Sequence, residues 1–317
     1  MSAIDRARRR VIRGSFHAAM HGIATISTFS RDLRPGPNGI AVARDVRYGR
    51  VGPRDPRLDV YVPPGPGPFP VVVYLHGGGF SIGSKGTHRA LATWIARQGF
   101  VVVNVDYRLA PKHPFPAAIE DACSAYLWVV ENVSRFAGDP RRLVVAGESA
   151  GANLTLALAL ACTTRRPEPW ARAVFERGVV PRVLLPLSGY LQVHDPDRFA
   201  RASKVNPFYL DRMRAVSASY LEHATPSHGF DLADPLLVLE RGDVLERPWP
   251  PTYASVGGAD PILDDTVRLG RVLEQRATVS RIRVHPGQPH AFQVGVIRGV
   301  ARASWDEALA FARSHLD

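Results

Sequence analysis

The feature that most constrains the fold is a rhythm of short apolar runs. They read "LDVYV" (58–62), "VVVYL" (71–75), "FVVVNVD" (100–106), "LVVAG" (143–147), "VLLPL" (183–187), "TYASVG" (252–257) and "RIRVH" (281–285). Most are rich in valine and show no sustained alternation with polar residues, as expected of strands covered on both faces, which is the situation of a parallel sheet. Longer stretches with helical spacing fall between them, at about 87–98, 115–132, 150–163, 264–276 and 300–316. Strand and helix in turn predict an α/β fold, with one mostly parallel sheet and helices on both faces.

Two regions break the rhythm. Residues 1–50 read as helical and basic ahead of the first run, and about 190–245 separates two core strands by far more than a crossover requires. Within the second, "PFYLDRMRAVSASYL" (207–221) has the spacing of an amphipathic helix. A long insertion between core strands commonly covers a site. The expected organisation is therefore an N-terminal helical cap segment (1–50) and one catalytic domain (51–317) carrying a cap insertion at about 190–245.

The chain has 317 residues, 45% of them hydrophobic, enough for a large core. Its formal charge of +11 comes almost wholly from arginine, since only Lys85, Lys112 and Lys204 are lysines. The arginines are dispersed, and only "RARRR" (6–10) is dense, so the basic clusters with interleaved aromatics that mark nucleic-acid binders are missing. The most apolar stretch, "LTLALALAC" (154–162), is far below the roughly 18 residues that span a bilayer, and "GSFHAAMHGIATIS" (14–27) lacks the unbroken apolar core of a signal peptide. Cys123 and Cys162 each sit in a helical stretch and read as buried, reduced thiols. A cytoplasmic protein with no nucleic-acid partner and no membrane insertion is expected; homodimerisation stays open.

The chemistry begins at "GESAG" (147–151), where a strand gives way to a helix. This G-x-S-x-G pattern is the nucleophile elbow, a turn so tight that side chains at 147 and 151 collide with neighbouring backbone, lifting Ser149 above the sheet. The amides that follow sit at a helix N-terminus, which favours negative charge. A serine hydroxyl that attacks a carbonyl creates an oxyanion needing preorganised N–H donors. "HGGGF" (76–80) offers them from the end of an earlier strand: Gly77 and Gly78 would give two amides and Ala150 a third. His76 reads as an anchor of the glycine loop and Glu148 as a support of the turn.

Serine needs a base, and the base needs a carboxylate. In this fold the acid precedes the histidine in the chain. Asp260, in "GGADPILDD", follows one late strand; His290, in "GQPHAF", follows the next. Asp264 and Asp265 read instead as partners of a helix dipole, and His285 as a strand residue.

Taken in order, "HGGGF", "DYRLAPKHPFPAAIED" (106–121), "GESAG", "DPILDD" and "GQPHAF" resemble the signatures of the bacterial hormone-sensitive-lipase-like esterases, over roughly residues 55–300. The resemblance implies an α/β-hydrolase fold with a helical cap, Ser149, Asp260 and His290 as the triad, and Gly77, Gly78 and Ala150 as the oxyanion hole. It also implies hydrolysis of short to medium acyl esters without a cofactor. Glu148, Lys112 and Ala291 depart from the family's usual aspartate, glutamate and glycine. The chain has no H-E-x-x-H or CxxC pattern that would point to a metal. Alternatives on the same residues are an amidase or deacetylase, and a non-catalytic ligand-binding module resembling the plant hormone receptors. The presence of His290 counts against the module.

Overall fold

The computed structural model describes residues 30–49, 56–202, 205–224 and 231–316, with Gly14 and Gly22 as isolated positions. Eight strands form one sheet: β1 (Ala41–Arg47), β2 (Arg57–Val62), β3 (Phe69–Leu75), β4 (Val101–Val105), β5 (Gly138–Glu148), β6 (Val183–Leu187), β7 (Thr252–Gly257) and β8 (Ser280–His285). Their spatial order is β1-β2-β4-β3-β5-β6-β7-β8. Every pairing from β4 to β8 is parallel, while β2 is antiparallel to both β1 and β4.

The helices are α1 (Arg89–Arg97), α2 (Ala117–Asn132), α3 (Ala150–Thr163), α4 (Pro169–Arg177), α5 (Arg198–Ala202), α6 (Pro207–Tyr220), α7 (Pro235–Glu240), α8 (Leu263–Gln275) and α9 (Gly299–Arg313). Strand side chains alternate between faces, and the core divides accordingly. Val71 and Val73 join the cluster built with α2, α3 and α8, whereas Val72 and Tyr74 join the one built with α1 and α9. All five central runs of the sequence, from "VVVYL" to "TYASVG", are thus buried from both sides.

The sequence reading of helix before the first strand does not hold at residues 41–47, which form β1. This strand pairs with β2 and carries a register irregularity between Ala43 and Val46. Most of the expected N-terminal helical segment lies outside the described residues. The short α4 is likewise an addition to the expected elements. The 190–245 insertion contains α5, α6 and α7, between β6 and β7. Both cysteines are free and buried, as expected.

Candidate active site

The loops after the strands converge at one end of the sheet, and the elbow lies at its centre. Strand β5 ends at Glu148, helix α3 starts at Ala150, and Ser149 between them has φ 55° and ψ −113°. A conformation this sparsely populated costs on the order of 1–3 kcal/mol and persists only where its surroundings enforce it. Glycine supplies the space: a Cβ on Gly151 would stand 1.9 Å from the Leu75 carbonyl oxygen, and one on Gly147 would stand 2.5 Å from the Gly151 carbonyl carbon. The Ser149 amide donates to Leu187 O at 3.0 Å, which ties the turn to β6.

Ser149, His290 and Asp260 form one hydrogen-bonded chain. His290 Nε2 is 3.0 Å from Ser149 Oγ, and His290 Nδ1 is 3.0 and 2.9 Å from the two Asp260 oxygens. Asp260 is itself fixed, accepting from the Ile262 amide at 3.0 Å. Its carboxylate is buried, and the imidazole keeps 28% of its side chain exposed. Burial drives the imidazole's pKa down, but the Asp260 charge and hydrogen bond, with Glu148 farther off, outweigh it and hold the pKa above the ordinary histidine value. The other candidates stand apart: His285 packs on Phe292 with ring centroids 5.0 Å apart. Asp265 accepts from the amides of Leu191 and Gln192 and from Arg198. It stands in the first turn of α8, where the dipole reading put it, and is in addition a buried tie between segments.

The glycine loop requires one correction. The Gly77 amide donates to Glu148 Oε1 at 2.5 Å, and a committed donor has no hydrogen left for an oxyanion. Among the described residues, the amides of Gly78, Gly79 and Ala150 have no hydrogen-bond partner, and Gly78 and Gly79 line the cavity beside Ser149. The available donor set is therefore Gly78, Gly79 and Ala150. Residue types could not reveal this, because three consecutive glycines do not say which way each peptide faces.

Glu148 does more than support the turn. It accepts from the Tyr74 hydroxyl, the Gly77 amide and His88 Nε2, the last at 2.8 Å. Burial pushes its carboxyl up, yet the His88 charge and these three donors bring it below the usual range. Burial disfavours charge on His88 too, but Glu148 and the Ser84 carbonyl raise its pKa. The two groups form a buried hydrogen-bonded pair behind the glycine loop, each shifted toward its charged form by the other. His76, its neighbour, is pushed down to about 4, first by burial and then by the His88 charge, and so stays neutral. His76 anchors the loop as expected: its Nδ1 lies 2.8 Å from Gly77 O, its carbonyl accepts from Tyr107, and its ring stacks on Tyr107 at 4.2 Å. The "DYRLAPKHPFPAAIED" stretch supplies that tyrosine, and Arg108 within it pairs with Asp121 and Glu120.

The cavity beside Ser149 encloses about 280 Å³. Its walls are largely apolar: Ile82 from the glycine loop, Tyr209, Met213 and Val216 from α6, and Ile262 and Val294 near the acid and histidine loops. Arg212 lines it as well and was not visible as a site residue in the sequence. Ala291, where the family more often has glycine, is in the left-handed region with φ 51° and ψ 32°.

A mostly parallel α/β sheet with a strained serine elbow, a histidine and an acid on later loops, and a glycine loop alongside defines an α/β hydrolase. The chain belongs to this family, in its hormone-sensitive-lipase-like branch: residues 72–294 match the alpha/beta hydrolase fold. It is 32% identical over 282 residues to carboxylesterase NlhH of Mycobacterium tuberculosis, covering 86% of this chain and 83% of that protein. Carboxylic ester hydrolase LipN of the same organism is 31% identical over 288 residues, covering 89% and 69%. Among solved structures, esterase LipW of Mycobacterium marinum superposes with a TM-score of 0.74 at 29% identity, over 96% of this chain and 89% of that one. An esterase of Pyrobaculum calidifontis gives 0.77 at 25% identity, over 98% and 94%.

Proposed function

We propose that the protein is a serine carboxylesterase that hydrolyses short to medium acyl esters through an acyl-enzyme. The observation carrying this reading is the Ser149–His290–Asp260 hydrogen-bonded chain opening onto an apolar cavity. The names of the relatives, carboxylesterase and esterase, support ester over amide as the bond cleaved.

In this reading, Ser149 Oγ attacks the ester carbonyl carbon while His290 Nε2 takes the hydroxyl proton. The carbonyl oxygen becomes an oxyanion held by the amides of Gly78, Gly79 and Ala150. As the tetrahedral species collapses, the carbon–alkoxy bond breaks and His290 returns the proton to the departing alcohol. Water then enters, gives a proton to His290 and attacks the acyl carbon, releasing the acid and restoring Ser149. Asp260 keeps Nδ1 protonated, so that Nε2 carries the lone pair, and it stabilises the transient imidazolium. The 190–245 insertion acts as a cap, a role supported by the α6 residues in the cavity wall.

Hydrolysis of nitrophenyl butanoate beside the matched anilide tests the assignment. The wild type is expected to cleave the ester, and Ser149→Ala to lose on the order of a millionfold in kcat with an unchanged melting curve. Residual activity above about a hundredth would be far outside that expectation and would sink the proposal.

A further inference from the structure

Arg212, Val216 and Tyr220 recur every four residues on α6 and therefore share one face of the helix. Each meets the glycine-rich loop. Arg212 Nη2 donates to Gly78 O at 3.2 Å and to Ser81 Oγ at 3.0 Å. Val216 closes on Gly79, where a Cβ would stand 2.6 Å from Val216 Cγ2. The Tyr220 ring stacks on Phe80 with centroids 3.8 Å apart and planes 6° from parallel. Phe80 has φ 54°, a conformation that a bulky residue keeps only when its surroundings impose it. Helix α6 is thus the outer support of the loop as well as a wall of the cavity.

The Gly78 carbonyl and the Gly79 N–H belong to one planar trans peptide and point in opposite directions. Whatever fixes the carbonyl fixes the amide. Within the loop the carbonyl accepts from the Ser81 and Ile82 amides, at 3.3 and 3.2 Å, and from the Ser81 hydroxyl at 3.5 Å, all long for hydrogen bonds of their kind. Arg212 adds a charged donor from the α6 side, and charged donors make the stronger hydrogen bonds. We propose that Arg212 is a positioning residue for the oxyanion hole: by holding the Gly78 carbonyl it sets the direction of the Gly79 amide. This rests on the esterase reading of the site.

The test compares wild type, Arg212→Met and Arg212→Lys by two readouts: kcat and KM on nitrophenyl butanoate, and the rate at which an organophosphonate labels Ser149. Losing an oxyanion donor outright costs about 10²–10³ in kcat; misdirecting one should cost less. Arg212→Met is expected to lower kcat about 10- to 30-fold with KM within about twofold, and to slow labelling by a similar factor, a milder loss than removing the donor. Arg212→Lys, which keeps a charge but not the planar fork, is expected to recover part of both losses. If Arg212→Met does not fold, the lysine variant carries the test through the same split. Unchanged kcat and labelling, or a change confined to KM, overturns the proposal, since an arginine that merely lines the cavity would behave that way. A wild type labelled at Ser149 but inert toward esters defeats the substrate assignment alone, and the labelling ratio still decides Arg212. A wild type not labelled at Ser149 overturns both.

Discussion

At the scale of single residues, the pH behaviour of His290 is set by its partner. A general base must be neutral to act, and the Asp260 charge holds this imidazole's pKa above the ordinary value near 6.5. Activity should therefore rise with pH through a midpoint above that value and be lost below it. Asp260→Asn removes the raising partner, so the midpoint of kcat/KM against pH is expected to move down while turnover falls by up to about ten-thousandfold, the cost measured for the equivalent change in serine proteases. A midpoint that stays put would show that Asp260 does not govern the imidazole. Ala291 makes a separate prediction. Left-handed backbone costs a residue with a Cβ about 1–2 kcal/mol, and glycine's extra unfolded-state entropy costs about 0.5–1. Ala291→Gly should then stabilise by roughly 0.5–1 kcal/mol, read as a higher denaturant midpoint. Ser149, Asp260 and His290 were legible in the sequence because the elbow spacing and the acid-before-histidine order allow few other choices. Which glycine amides stay free was not, since the Gly77 amide is taken by a carboxylate 71 residues away.

At the scale of elements, legibility followed burial. The central strands announce themselves as apolar runs because helices cover both faces, whereas β1, an edge strand largely open to solvent, reads "AVARDVR" and gives no such signal. Helix α4 opens on a proline and buries only Ala171, Val174 and Phe175, so it carries a weaker apolar signal than the equally short α1. Helix α8 held a signal that could have been read: Asp265 shares its buried face with Leu269 and Val272, at the i, i+4, i+7 positions of the core stripe. An acid placed there must find partners. It finds the Leu191 and Gln192 amides at 2.9 and 3.3 Å and the Arg198 guanidinium at 2.7 Å, linking α8 to the chain after β6 and to α5. Asp265→Asn leaves the mostly buried Arg198 without its counter-charge, a loss of about 3–5 kcal/mol for pairs of this kind. Urea unfolding should show that drop, while Asp264→Asn, one residue earlier on the same helix, should change stability by no more than the roughly 0.3–1 kcal/mol of a dipole interaction. Equal small effects from both would leave Asp265 with the helix-dipole role alone.

At the scale of the whole molecule, what the enzyme accepts follows from how the insertion meets the sheet. The insertion at 190–245 was expected to cover the site, and its Tyr190, Tyr209 and Met213 line the cavity. Phe199 and Tyr220 are instead spent on packing, against the Arg198 guanidinium at 4.0 Å and the Phe80 ring at 3.8 Å. Sequence revealed the bulk but not its division between wall and support, which depends on which face of each helix meets the sheet. The resulting space of about 280 Å³ lies just below the range of roughly 300–1,000 Å³ for ligand pockets. Methylenes that fit gain about 0.8 kcal/mol each by leaving water, and those that do not fit must displace wall residues or remain exposed. Across nitrophenyl esters of increasing length, kcat/KM should therefore climb to butanoyl or hexanoyl and then fall. Met213→Ala removes bulk from the α6 wall without touching the Ser149–His290–Asp260 chain, and it should move the optimum to longer acyl groups while leaving acetyl turnover within a few-fold. A wild type that prefers emulsified long-chain triglycerides, or an optimum that Met213→Ala does not shift, would mean that α6 does not bound the acyl site.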